Sequence, residues 1–427
     1  MPNLIEVPRP RTQRKISWDV MRVVAIYAVM IQHITHQAPI NHPELGPYPF
    51  VVPLEFGAST LLVISAFFVC VTVRRGSTGK WLWHRLARLL PAYVIAVFGT
   101  YVITRVGVAT FQHYRFDGLG GLLFGQPVSG NVVGGPPVWY LPDVEDLLSN
   151  LFMVEAWSPN FHWIDASYWT LPVQVMAFVT AALLWPKRWW RGTRLTVLLW
   201  SVVIVPVVVR YLWRGEDSAQ WIKSVFDGLS LHRVALFGAG VAIYLWTRAH
   251  MSGRQLAVYL VAVLVSQDAH GYFADNWSTV ALGVAFVGIV AAAGGRDWNV
   301  GRLAPVITFL AGISYGVYLV HQQTGFVMAR LLLDRGVGPW GRIVVCVVFA
   351  ITLGWLLTRM VERPAHQWLT TVLPQRIRRV QPQGGSSGRP VALAAVRPAS
   401  HAMIVGGGPL TSLETVAAAG ASMRQLR

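Results

Sequence analysis

The chain has 427 residues, of which 54% are hydrophobic and 13% charged, and its 36 Lys and Arg against 19 Asp and Glu leave a net charge of +17. A soluble globular domain carries about a quarter of its residues as charges, so this composition excludes an average soluble enzyme, a disordered chain and a disulfide-stapled secreted scaffold. A nucleic-acid partner would require a basic stripe on a polar domain, and none is present. The positive excess instead fits Lys and Arg at the cytoplasmic ends of membrane helices. Cys70 and Cys346 lie in apolar runs, too few for a cysteine metal site or a disulfide framework. They read as small buried hydrophobes.

Residues 1–15 form a cytoplasmic N-terminal segment and 16–370 a membrane domain. The domain contains about ten apolar stretches of roughly spanning length. They fall near 16–37, 51–73, 89–109, 167–186, 194–212, 233–249, 255–268, 277–294, 305–332 and 342–361. The first holds Arg22, His33 and His36 and lacks a small-residue cleavage site after it, which argues against a cleaved signal peptide. Between the third and fourth lies a long outer loop, 110–166, rich in Gly, Pro and Trp. Loops of this length in compact proteins are usually functional or disordered, and its aromatics suggest a packed cap. Residues 371–427 begin basic and turn Gly-, Ser- and Ala-rich, the composition of a disordered cytoplasmic tail.

Charge sets the orientation. Arg74, Arg75, Lys80, Arg85 and Arg88 fall on one side, as do Lys187, Arg188, Arg191 and Arg194. The 37–50 and 269–276 loops have neither Lys nor Arg. This asymmetry predicts both termini in the cytoplasm. Arg210, Arg214, Lys223 and Arg233 run against it.

Ionisable groups inside spans are costly and mark function by default. At about 100° per residue, Asp19, Arg22, His33 and His36 share one stripe of the first helix. Asp19 and Arg22 have the spacing of an ion pair, and His33 lies about 21 Å further along the axis. A neutral imidazole there is a general base or nucleophile; the alternative is a histidine bonded to a neighbouring helix. His36 reads as a helix-end residue. Arg85 and Arg88 form either a bidentate phosphate clamp or a pair of topology charges. Ser314, Tyr318 and His321 share a helix face, as pore lining or as helix glue. Glu362 needs a partner, Arg88 or Arg363.

These motifs, in this order, resemble the bacterial acyltransferase family 3, integral-membrane enzymes that move acyl groups from acyl-CoA to hydroxyls. The resemblance covers about residues 16–370. Asp19, Arg22 and His33 match its opening Asp-x-x-Arg and histidine; Ser65, Ala66 and Phe67 its Ser-Gly-Phe; Arg85, Arg88 and Pro91 its Arg-x-x-Arg-x-x-Pro. Trp169 to Gln174 resemble its Trp-Ser-Leu-x-x-Glu, Ser314 to His321 its Ser-Tyr-x-x-Tyr-Leu-x-His, and Glu362 with Pro364 its Glu-x-Pro. Two positions depart: Gln174 replaces a glutamate, and Ala66 replaces a glycine, which predicts slightly looser helix contact.

The resemblance implies an all-α polytopic protein of a bacterial inner membrane. It implies that His33 is base or transient acyl carrier, with Asp19 and Arg22 in the same catalytic stripe, and that Arg85 and Arg88 hold acyl-CoA, acetyl-CoA in the simplest case. Gln174, Ser314, Tyr318 and His321 would line the donor's path, with no metal involved. The acceptor would be a carbohydrate, a glycolipid or a macrolide-like metabolite. The rivals are a transporter of lipid or glycan precursors, for which Pro91, Pro172 and Pro206 would break helices, and a non-catalytic scaffold, which leaves Asp19, Arg22 and His33 unexplained.

Overall fold

The computed structural model describes residues 15–73, 77–130, 139–184, 192–215, 217–270 and 276–372. The expectations for residues 1–14, for Arg74 and Arg75, for 187–191 and for the tail beyond 372 lie outside these residues. The described residues form helices and no strand beyond one isolated bridge between Arg115 and Ser129. Seven helices are long and apolar enough to cross a membrane: Thr78–Phe111, Ala166–Leu184, Thr193–Trp213, Gln220–Thr247, Trp277–Gly294, Gly301–Val320 and Pro339–Val372. Shorter helices run among them, including Ile16–Gln32 (α1), Gly57–Thr72 (α2) and Gly253–Ala269. The protein is an all-α polytopic membrane protein.

α1 does not end at Gln32. It passes into a π-helical turn, His33–Gln37, and then Ala38–Asn41, so the ideal phase relation between His33 and His36 is lost at the first histidine. Thr78–Phe111 (α3) is continuous through Pro91, and Thr193–Trp213 is continuous through Pro206. Pro172 sits in the first turn of Thr170–Leu184 (α4), where its missing N–H costs nothing. None of the three prolines breaks its helix.

The stretch 305–332 is not one span. It is Ala304–Val320 (α5), a break at His321 and Gln322, and a separate helix, Gln323–Asp334 (α6). The sequence is polar at this point, His-Gln-Gln-Thr, and the Asp165 carboxylate reaches in from the loop to accept from the Gln323 backbone N–H at 2.9 Å. A carboxylate at a helix start satisfies an orphan donor and the dipole together. Pro339–Leu357 (α7) follows and continues through a second π-helical turn, Thr358–Glu362.

Among the described residues two large apolar cores hold the bundle, beside a smaller one between α2, α3 and α4. One joins α1, α3, α5, α6 and α7; the other joins α2 to Thr193–Trp213, Val234–Thr247, Gly253–Ala269 and Asn276–Gly294. Close approach depends on small residues, as it must where lipid offers no hydrophobic drive. A Cβ on Gly316 of α5 would lie 2.3 Å from the Gly354 carbonyl of α7, and one on Gly354 would lie 2.4 Å from the Val317 nitrogen. Gly240 meets Ala66 in the same way, at 2.5 Å from Cβ to Cβ, so the methyl of Ala66 is accommodated by a glycine across the interface. Gly316→Val is expected to force α5 and α7 apart, an overpacking cost of about 1–3 kcal/mol or more. Size-exclusion profile and thermal unfolding in detergent would reveal it, and a wild-type profile would contradict the packing argument.

The long loop is ordered where described. The fully buried guanidinium of Arg105 in α3 donates to the carbonyls of Leu122, Pro142, Gly121 and Gly125. Trp139 is buried, stacks on His42 with ring centres 3.5 Å apart, and donates to Glu44 at 2.6 Å. Two of the cations that run against the charge asymmetry have partners within the fold: Arg214 forms an ion pair with Asp227 at 2.8 Å, and Arg233 lies buried over the Trp169 ring at 4.5 Å.

Candidate active site

His33 and His321 are 288 residues apart in sequence, yet His33 Nδ1 and His321 Nε2 lie 2.9 Å apart with ring planes inclined by 7°. Local irregularity puts each there. His33 opens the π-helical turn that ends α1, a distortion found preferentially at functional sites. His321 follows the last residue of α5, at the capped break before α6.

The hydrogen bonds fix the tautomers. His321 Nδ1 lies 2.8 Å from the Tyr318 carbonyl oxygen, which only accepts. A neutral His321 therefore carries its proton on Nδ1 and offers a lone pair on Nε2. His33 Nδ1–H must donate to that lone pair. The remaining nitrogen, His33 Nε2, is left with a free lone pair and no hydrogen-bond partner among the described residues, and the His33 ring is half-buried. The pair thus presents one unprotonated nitrogen, oriented from behind.

Asp165 lies behind His321 without touching it. It is fully buried and accepts from Ser167 N at 2.8 Å, Ser167 Oγ at 2.5 Å and Gln323 N at 2.9 Å. Burial pushes its carboxyl up; His321 and these donors pull it back. A proton arriving on the histidine pair strengthens that pull, so Asp165 is placed to compensate positive charge there. Tyr318 locks the same region: its hydroxyl donates to Ser167 O at 2.7 Å and accepts from Thr170 Oγ1 at 3.0 Å.

The other singled-out residues separate into two groups. Tyr318 and His321 join His33 at the end of the bundle that carries the long loop, whereas Ser314 Oγ donates within its own helix to Ala311 O at 2.9 Å. Asp19, Arg22, Arg85, Arg88 and Glu362 gather at the opposite end, where α1 and α3 begin. Asp19 is buried and lies 3.7 Å from Arg22, whose guanidinium covers the Phe68 ring at 5.1 Å. Arg85 donates to the Phe68 carbonyl at 3.2 Å and Thr72 Oγ1 at 2.7 Å and stacks over Trp81 and Phe178. Arg88 is the partner of Glu362, at 3.2 Å, and keeps 58% of its side chain exposed. Arg85 and Arg88 therefore point to different partners, and only Arg88 is largely open. Gln174 is half-buried in α4.

Sequence reasoning gave no role to Asp165 or Ser167, and matched Thr170 only as a motif position. The available signal was an Asp-x-Ser just before a predicted span, a turn-capping pattern. Arg105 was also overlooked, although a charge inside an apolar run was visible. Among the described residues no cluster of three His, Cys, Asp or Glu could hold a metal ion, and Cys70 and Cys346 are buried free thiols.

The family model Acyl_transf_3, an acyltransferase domain, matches residues 15–359. The chain belongs to this acyltransferase family. It is a membrane acyltransferase, a transferase of groups other than amino-acyl groups. No curated protein and no solved structure matches it. The matched region of the acyltransferase contains the histidine pair, Asp165 and the arginine cluster, and it stops within the second π-helical turn, just before Glu362.

Proposed function

We propose that the protein is an O-acyltransferase of a bacterial inner membrane, with both termini cytoplasmic. It moves an acyl group, acetyl in the simplest case, from cytoplasmic acyl-CoA to a hydroxyl of an envelope sugar, glycolipid or related acceptor at the outer face. The observation that carries this reading is the free His33 Nε2, held by the His321 hydrogen bond at the loop end of the bundle. The arginines at the opposite end supply the phosphate-binding charge, so donor and acceptor would approach from the two sides of the membrane.

In the reaction the acceptor oxygen attacks the thioester carbonyl carbon while His33 Nε2 takes the hydroxyl proton. The C–S bond then breaks, and the CoA thiolate leaves with that proton. His33 shares its positive charge with His321 through the bond between them, against the field of Asp165. Attack by His33 Nε2 itself would expel the CoA thiolate and give an acyl-histidine; the acceptor hydroxyl then adds to the acyl carbon, the C–N bond breaks, and the freed Nε2 lone pair takes the hydroxyl proton. A transporter would have no need of this lone pair.

The test is purified protein in nanodiscs with labelled acetyl-CoA. CoA release that depends on His33 is the expected result, and neither binding nor release would overturn the reading. At the donor end, Arg88→Ala is expected to weaken acyl-CoA binding about 10-fold, one charge-assisted contact of roughly 1.5 kcal/mol, by calorimetry. Arg85→Ala is expected to act more through stability, because it removes the hydrogen bonds that tie α3 to Thr72 and the Phe68 carbonyl of α2. Unchanged affinity in both variants would reduce them to topology charges.

A further inference from the structure

A cavity of about 460 Å³ opens between the 155–169 and 220–233 segments. Its aromatic walls are Phe161, Trp163 and Trp169, and its polar lining includes Glu155, Asp227 and Arg233. Glu155 is 1% exposed, and its two carboxyl oxygens lie inside the protein with no hydrogen bond from any other described residue. Native folds rarely bury a polar group unpaired, and such a group calls for an explanation.

The fold holds Glu155 in place. It opens the 3-10 turn Glu155–Trp157, and the Trp157 ring fills the space above Gly228, where a Cβ would meet it at 2.3 Å. Burial pushes the Glu155 carboxyl up to about 8. At neutral pH it is mainly protonated and so offers one donor and one acceptor. Asp227 is already engaged by Arg214 through two contacts, 2.8 and 3.1 Å. Arg233, over the face of Trp169, puts a positive charge on the cavity wall and so disfavours a cationic ligand. Apolar ring faces beside a neutral hydrogen-bonding carboxyl match a pyranose, whose C–H faces stack and whose hydroxyls both donate and accept.

We propose that this cavity binds a neutral sugar ring as the docking subsite of the acceptor, with Glu155 bonding to ring hydroxyls and Trp163 and Trp169 covering its faces. The assignment rests on the acceptor reading above. The 3-10 turn Ala166–Trp169 joins the two sites: Ala166 and Trp169 line the cavity, while the Ser167 carbonyl accepts from Tyr318, whose ring lies 5.6 Å from that of His321.

The experiment is saturation-transfer NMR on the nanodisc protein with methyl α-D-glucoside, methyl α-D-mannoside, N-acetylglucosamine and glucosamine. Saturation of ring protons of a neutral sugar is expected in wild type and in His33→Ala, at least five-fold weaker in Trp169→Ala and Glu155→Ala, and retained in Trp169→Phe and Glu155→Gln. Binding of glucosamine alone, no transfer to any neutral sugar, or a signal that survives both alanine variants overturns the subsite. Sugar binding by a protein that releases no CoA from acetyl-CoA overturns the catalytic reading and sustains this site. CoA release without sugar binding does the reverse.

Discussion

His33→Ala is expected to lower acyl transfer by about 10²–10⁴-fold, the range typical of a positioned general base, and to leave folding intact. The ring is only half-buried, and among the described residues its one hydrogen bond is to His321, so the loss touches chemistry more than packing. His321→Ala removes the acceptor that holds His33 in its reactive tautomer. It is expected to lower turnover by a smaller factor without changing acyl-CoA affinity, the split that separates an orienting residue from one that touches substrate. If His33 acts as acyl carrier, brief incubation of wild type with labelled acetyl-CoA leaves label on the protein, and His33→Ala leaves none. Full turnover by His33→Ala in protein of wild-type thermal stability would remove the histidine pair from the mechanism altogether.

The sequence made individual residues of this site visible but not their partnerships. His33 and His321 stand out because an imidazole in an apolar run is costly wherever the chain places it. That they share a hydrogen bond follows from where α1 and α5 end, and both ends are irregular in ways that period-based reasoning misses. The 305–332 stretch appears as one span because apolar residues flank His321 on both sides. The device that breaks it, Asp165, belongs to a loop more than 150 residues earlier and shows no periodicity. Arg85 and Arg88 illustrate the converse case. Their i,i+3 spacing places them on one face, but spacing is blind to Thr72 and Glu362, which draw the two guanidiniums apart. The all-α membrane architecture itself was legible, because apolar composition depends on the solvent around the helices more than on their packing.

Arg105 is the residue whose replacement should do most damage to the fold around the site. It is fully buried, and its guanidinium satisfies carbonyls of Leu122, Pro142, Gly121 and Gly125 between the rings of Tyr101 and Phe116. A loop that packs on a helix must satisfy its own carbonyls, and here one side chain does so for two stretches of the loop, 121–125 and Pro142. Arg105→Ala strands the Leu122, Gly125 and Pro142 carbonyls, while Gly121 keeps the Gly125 N–H, at about 1–3 kcal/mol each where water does not reach them. A single ammonium cannot reproduce the planar fork, so Arg105→Lys is expected to rescue little. The consequence reaches the active site, because the stretch after Pro142 leads through Val144–Leu151 to Asp165 and the cap on Gln323. Arg105→Ala should therefore expose 112–165 to limited proteolysis, lower the unfolding temperature by several degrees and abolish transfer with His33 intact. Wild-type protease resistance in this variant would mean that the loop is held by its aromatic contacts, Trp139 on His42 foremost, and that the buried guanidinium is incidental to the site.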